Sequence, residues 1–311
     1  MTDHLLLLSK HFVTSPLTRL LAENKPIQVS RNNPKDRSTN NRENMLTPRE
    51  TTQSEPVDVS KSKNFRPPRN SLKDRKRIAN DMGRVPVGGR LFRFRAAWQG
   101  ANHESVVRTG LSWSWKKKLP PPKRLRQKTS PSLDKILSTL RKKRVIEKAK
   151  SLRWQSRLFT VPKKDAQEDR LILDLSILNS FIHCPHFKML TMKEVKLLLP
   201  KDYWTVSIDL KDGYWHVGIS KTKRPYLGFR YRNQDWQFRA MPFGLNIAPR
   251  MFTKVIAHVV KMMAEAGIWC LPYLDDLLII ASTREECIRM SELAISILET
   301  LGWILNKKNP D

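Results

Sequence analysis

The chain has little cysteine, little acid and no long apolar run, and each shortage excludes something. Its 311 residues hold three cysteines, Cys184, Cys270 and Cys287. No paired spacing links them, so a disulfide framework is excluded and a reducing compartment is expected. The segment His183-Cys184-Pro185-His186 matches none of the usual zinc-ligand spacings and has no second pair, so it is not expected to hold metal. No apolar run reaches roughly 18 residues, so neither a membrane-spanning helix nor a membrane partner is expected. The leucines of residues 4–8 are too few for a secretory core and lack a basic flank.

What is there is base. Lys and Arg number 58 against 29 Asp and Glu, a formal net charge of +29. An excess of that size points to a polyanion, because Lys and Arg release the counterions condensed on nucleic acid. The excess is uneven, and the chain divides by composition into three parts. Residues 1–82 are read as a largely disordered, basic N-terminal region. One short apolar helix is expected within 1–24. Residues 25–80 have too few aliphatics to offset their ordering entropy, and they include the basic cluster Lys73, Arg75, Lys76 and Arg77. Residues 83–131 form an extended leader arm rich in Trp, Lys and Pro. Residues 132–311 carry the strand and helix patterns of a folded domain.

The leader interleaves rings with charge: Trp98, then Trp113-Ser114-Trp115-Lys116-Lys117-Lys118 and Pro120-Pro121-Pro122. Such interleaving suits base stacking with phosphate contact. The size of tryptophan favours the other reading, in which these rings pack the arm onto the domain. Between 111 and 150 there are fourteen Lys or Arg against two acids. Within that stretch Leu133, Ile136, Leu137 and Leu140 recur at helical spacing. Ser130 is the expected N-cap and Pro131 the first helical residue. The helix closes in Arg141-Lys142-Lys143-Arg144, where cations suit the C-terminal end of the dipole and form a candidate nucleic-acid contact.

Further on, Phe159 and Val161 alternate with polar neighbours as in a strand, and Arg170–Leu175 reads as the returning strand. Thr191–Leu199 reads as a helix stopped by Pro200. A second helix opens at Pro249, with Phe252, Val255, Ile256, Val259 and Met263 on one face and Gly267 beyond its end. A third starts at the capping box Thr283-Arg284-Glu285-Glu286. Its expected buried stripe is Cys287, Met290, Ala294, Ile297 and Leu301, and Gly302 ends it.

The chemistry lies in the carboxylates. Asp275 and Asp276 stand between two short apolar runs, Ile268–Pro272 and Leu277–Ala281, a pattern that predicts a hairpin with acid at its turn. Asp209 ends a third apolar strand, Val206–Leu210. An unpaired buried carboxylate is costly. Three of them at strand ends suit two divalent ions about 3.5–4 Å apart, as in phosphoryl-transfer polymerases. Oxygen ligands and substrate phosphates favour Mg2+.

These segments, in order, resemble a reverse transcriptase of the retroelement type. The resemblance is carried by Val161–Asp165, Arg170–Leu175, Leu178-Asn179, Asp209 with Tyr214, Met241-Pro242-Phe243-Gly244-Leu245 with Ala248-Pro249, Tyr273-Leu274-Asp275-Asp276, and Leu301-Gly302-Trp303. It spans residues 132–309. The leader is similar, more loosely, to the stretch before the polymerase in DIRS-type, tyrosine-recombinase retrotransposons.

The resemblance implies an α+β fold, a right-hand polymerase palm and fingers with an antiparallel palm sheet, and an RNA-directed DNA polymerase activity. It implies two Mg2+ ions, with Mn2+ able to substitute, an RNA or DNA template with its primer, and dNTPs. Asp209, Asp275 and Asp276 would be the catalytic, metal-holding carboxylates, with the main chain of Leu210 beside the metal. Lys163 and Arg170 would grip the triphosphate, while Glu168 and Asp169 lower the positive field of that fingertip. Asp212 and Gly213 would offer backbone amides. Tyr214 would sit under the sugar and exclude a 2′-hydroxyl, Phe243 would lie beside it, and Gly244 would let the backbone approach the base pair. Lys308 would protonate the departing pyrophosphate, and Tyr273 would touch nucleic acid with Arg141–Arg144. Asp174 is expected to be structural. The family's thumb has no counterpart before Asp311, which reads as truncation. Two other functions stay open: a remnant that only binds nucleic acid, and an RNA-templated RNA polymerase.

Overall fold

The computed structural model describes residues 85–98, 104–125, 127, 129–161, 170–189, 191–199, 202–273 and 276–306. The expected helix within 1–24, the stretch 25–80 and its basic cluster, Lys163, Asp275 and Lys308 lie outside the described residues.

In chain order, a 3-10 helix over Arg90–Trp98 precedes α1 (Glu104–Thr109), α2 (Pro131–Lys142), β1 (Ile146–Lys148), β2 (Leu158–Val161) and β3 (Arg170–Leu173). Next come α3 (Ser176–Asn179), α4 (Met192–Leu198), β4 (Trp204–Asp209), β5 (Gly228–Tyr231) and β6 (Gln234–Phe238). The last elements are α5 (Ala248–Glu265), β7 (Trp269–Tyr273), β8 (Asp276–Ala281) and α6 (Arg284–Thr300). The strands form antiparallel sheets in the orders β1-β6-β5, β2-β3 and β4-β8-β7. The architecture is the α+β arrangement that the sequence predicts.

Local chemistry starts the helices where expected. At α2, Ser130 is extended and its hydroxyl accepts from the Leu133 amide at 3.2 Å, while Leu133, Leu137 and Leu140 turn inward. At α4, Thr191 and Glu194 complete a reciprocal capping box. At α6, the Thr283 hydroxyl accepts from the Glu286 amide at 3.2 Å. Each cap satisfies backbone donors that have no partner inside the helix.

The third sheet carries the candidate chemistry. Its central strand β8 is buried along its whole length, between β4 and β7. Helix α5 packs on β7, and α6 packs on β8 and β4. The buried face of α5 is the expected one, Phe252, Val255, Ile256, Val259 and Met263. That of α6 is Cys287, Ser291, Ala294 and Leu298, with Met290 and Ile297 only half-buried beside it. The expected stripe is thus rotated toward a polar residue. Ser291 is tolerated there because its hydroxyl donates to the Cys287 carbonyl at 2.7 Å, which removes the penalty of burying it.

The leader is not wholly extended. Residues 90–98 and α1 are helical, and they seat Trp98 in the core, its ring stacked on His258 at 5.7 Å. The Trp98 indole donates to the Leu301 carbonyl at 3.0 Å. Arg90, also buried, donates from Nε to the Gly302 carbonyl at 2.7 Å. Gly302 has a φ of 93°, and a Cβ there would run into the Phe94 ring. Glycine is therefore required at this turn both for its backbone and for the close approach.

Candidate active site

Strand register brings two of the three expected carboxylates together. Asp209, the last residue of β4, lies directly opposite Asp276, the first residue of β8. Directly opposed side chains on antiparallel strands have Cβ atoms about 4.5–5.5 Å apart, and like charges there repel. Asp276 is 8% exposed. The same register pairs Asp276 with Tyr273 across the hairpin; Leu274 and Asp275, between them in the sequence, lie outside the described residues. Two facing carboxylates at a sheet end form an all-oxygen donor pair that suits a hard divalent cation. Among the described residues no three His, Cys, Asp or Glu side chains converge on one point.

Asp209 is held by a residue that sequence reasoning missed. Asn306 donates from Nδ2 to Asp209 Oδ2 at 2.8 Å, and its amide donates to the Asp209 carbonyl at 3.0 Å. The segment after α6 is clamped along its length. Leu305 bridges Leu210, and the Lys211 amide donates to the Ile304 carbonyl at 2.9 Å. Leu210 is buried within this pairing. The only signal in the sequence was an asparagine beside the expected lysine, too common a feature to single out.

The turn after β4 is strained and braced. Asp212 has a φ of 57°, a conformation that Asp tolerates better than most residues. Its carboxylate takes Lys143 Nζ at 2.7 Å, and Lys143 also lies 5.0 Å from the Trp215 ring centre. Of the basic run, then, Lys143 braces this turn, while Arg141, Lys142 and Arg144 remain exposed. Gly213 is buried behind it. His216, fully buried, accepts from the Ile304 amide at Nε2 (3.0 Å), with Nδ1 3.3 Å from the Asp212 carbonyl. This pairing assigns the proton to Nδ1. Burial pushes the imidazole pKa down to about 3, offset in part by hydrogen bonds to the Asp212 and Gly213 backbone. The ring is neutral and couples the turn to the segment that carries Asn306.

An aromatic wall is built from the turn that follows β4. Tyr214 stacks on Phe243 with ring centres 5.1 Å apart and planes 16° apart, and meets Phe252 at 4.9 Å. Phe243 is 44% exposed, so the stack ends in a ring face open to a ligand. Gly244 follows with a φ of 88°. Its carbonyl accepts from Asn179 Nδ2 at 2.8 Å, while Asn179 Oδ1 accepts from the Asn246 amide at 3.0 Å. One asparagine from α3 therefore fixes the whole Phe243–Asn246 loop.

The remaining expected residues sit on other elements. Arg170 begins β3 opposite Val161, at the turn end of the β2–β3 hairpin. Phe159 and Val161 on that hairpin are 46% and 42% exposed. Tyr273 packs half-buried against the cluster of Val195, Leu278 and Ile280. Asp174 accepts from the Ser176 hydroxyl at 2.5 Å and the Ser176 amide at 3.1 Å, which holds its carboxyl below the usual range. These bonds satisfy the first backbone amide of α3, whose N-cap residue is Leu175.

Residues 161–308 match the family model for reverse transcriptase (RNA-dependent DNA polymerase). Over that stretch the chain is similar to the reverse transcriptase domains of viral and retrotransposon polyproteins, a family that generally uses divalent metal ions. Among similar proteins, the genome polyprotein of Petunia vein clearing virus is 30% identical over 158 residues, which is 50% of this chain and 7% of that protein. The retrovirus-related Pol polyprotein from transposon 297 of Drosophila melanogaster is 25% identical over 149 residues, 47% of this chain and 14% of that protein. The chain thus spans a small part of the relatives it matches. The crystal structure of the prototype foamy virus protease–reverse transcriptase aligns over 60% of this chain and 25% of that one, with a TM-score of 0.52 and 20% identity, a likeness of fold.

Proposed function

We propose that this chain is the polymerase region of a retrotransposon that copies a template into DNA by two-metal nucleotidyl transfer, extending a primer 3′-hydroxyl with dNTPs. The observation that carries the reading is the pairing of Asp209 with Asp276 at one end of an antiparallel sheet whose central strand is buried; the Tyr214–Phe243 stack, which opens in the turn after β4, adds to it. The DIRS-type assignment rests on the leader of Trp98, Trp113, Trp115 and Pro120–Pro122 that precedes the domain.

Bound Mg2+ would lower the pKa of the primer hydroxyl and stabilise the departing pyrophosphate. The protein's own contribution is positioning and electrostatics. Asp209, Asp276 and Asp275 would hold the ions, and Asn306 orients Asp209 by taking one lone pair of Oδ2. The Lys143–Asp212 pair and His216 keep the amides of the 212–214 turn in place for the triphosphate, which Lys163 and Arg170 would grip from the fingertip. Tyr214, backed by Phe252 and pressed on Phe243, forms a rigid floor under the sugar and leaves no room for a 2′-hydroxyl. That floor favours DNA synthesis over RNA synthesis. Arg141, Lys142 and Arg144 would contact the nucleic-acid backbone, and Tyr273 the primer end. Lys308 would supply a proton to the leaving group.

The test is primer extension on an RNA template with Mg2+ and either nucleotide set. Deoxynucleotides are incorporated by the wild-type chain, and Tyr214→Ala admits ribonucleotides. An unchanged ratio in Tyr214→Ala removes the gate. Binding of primer–template with no extension under any condition would leave only the binding remnant.

A further inference from the structure

A second convergence of rings and cations lies on the side of the β1-β6-β5 sheet. Trp115 bridges Ile182, and the Lys116 amide donates to the Phe181 carbonyl at 2.8 Å. The Arg153 and Trp154 amides both donate to the Pro225 carbonyl, at 2.9 and 3.2 Å, and so brace the turn that presents Tyr226. Between these two supports is a cavity of about 770 Å³, lined by Trp115, Tyr226, Arg153 and the run from Lys116 to Pro122. Its volume is in the range of ligand sites, about 300–1,000 Å³.

The lining has a definite chemistry. The Trp115 and Tyr226 ring centres are 4.8 Å apart, and Trp113 meets Trp115 edge-on at 5.8 Å. Lys223 Nζ lies 4.9 Å from the Trp115 ring centre and 5.4 Å from that of Trp113. Arg153 and three consecutive lysines complete the lining, which contains no acid. Burial lowers the Lys223 pKa, as expected for an ammonium drawn partly away from water. Pro120–Pro122 stiffen one rim, so the shape is largely preformed. Half-buried rings among cations, with no acid in the lining, match a ligand with flat faces and regular negative charge.

We propose that the Trp115–Tyr226 cavity binds single-stranded nucleic acid, with unpaired bases stacked on the two rings and phosphates on Lys116, Lys117, Lys118 and Arg153. A duplex keeps its base faces covered and cannot use the rings. An acidic peptide would match the charge but not the stack. The site is separate from the carboxylate centre and does not depend on the polymerase reading.

The experiment uses the full chain and an oligouridylate carrying 5-bromouracil, irradiated to cross-link it to nearby rings, followed by peptide mapping. Cross-links are expected on the peptides containing Trp115 or Tyr226, equally in the wild type and in Asp209→Asn. Lys116→Glu with Lys118→Glu, both exposed and foldable, weakens strand binding about tenfold more than Lys254→Glu with Lys261→Glu on α5. Cross-links confined to other peptides overturn the proposal. So does equal weakening by the two charge-reversed pairs, or displacement of the strand by polyglutamate as readily as by unlabelled oligouridylate. Lost extension with intact cross-links counts against the polymerase reading alone, and intact extension without these cross-links counts against the cavity alone.

Discussion

The two three-stranded sheets treat their carboxylates in opposite ways. In β1-β6-β5, Glu147 faces Arg224 at 3.0 Å and Arg239 at 3.8 Å and takes Gln237 Nε2 at 2.9 Å, while Asp235 takes Arg230 at 3.1 Å. In β4-β8-β7, Asp209 has no cationic partner among the described residues. It takes a neutral amide from Asn306 and stands opposite another acid. A carboxylate fixed by arginine has its charge answered within the fold. One oriented by a neutral donor keeps its charge for something that arrives later. The contrast separates structural from chemical acids more sharply than burial does, since both kinds are partly covered.

The largest effect that tests this contrast is Asp209→Asn, expected to abolish primer extension by several orders of magnitude while duplex binding survives. Gel-based extension beside anisotropy measures both, and near-normal extension would remove the metal assignment. Next in size is acid. Because burial holds His216 at about 3 against about 6.5 when unfolded, the unfolded chain binds the extra proton between those values. Stability is then full above pH ~6.5 and falls by several kcal/mol as pH drops toward 3. Denaturant titrations of wild type and His216→Asn across that window should diverge, with the variant losing less. Glu147→Gln should cost about 1–2 kcal/mol of stability by leaving Arg224 and Arg239 short of charge, with extension per folded molecule unchanged. If extension fell as it does for Asp209→Asn, the two sheets would not differ in kind. The smallest effect expected is for Asn306→Ala, roughly a fivefold slower rate with a raised Mg2+ requirement, from the loss of about 1 kcal/mol of orienting hydrogen bond.

Much of this was legible in the sequence, for local reasons. The Ser130-Pro131 cap, the β7–β8 hairpin and the core face of α5 depend on neighbours a few residues apart and formed where expected; of the capping box expected at Thr283, the bond from the Glu286 amide to the Thr283 hydroxyl formed. What escaped depends on pairings between distant segments. Asn306 acquires its role only once the segment after α6 lies beside β4. Lys143 reads as one cation of four until Asp212 is brought to it. The face of α6 was misjudged because apolar letters outvoted Ser291, whose hydroxyl is satisfied within its own helix. Trp115 and Trp98 look alike in the sequence, yet one fills the core and the other lines a cavity.

The anchoring of residues 90–98 on the turn at 301–302 also sets an order of events during synthesis. Arg90 and its acceptor are 212 residues apart. At about 5–20 residues per second, roughly ten to forty seconds pass between making one and the other. Throughout that time Trp98 and Arg90 have been translated but lack the Leu301 and Gly302 carbonyls that receive them. The leader is therefore a late-docking strap whose apolar side is open to chaperones and proteases until the far end of the domain emerges, and a ribosome stalled before residue 301 would carry a domain that cannot close.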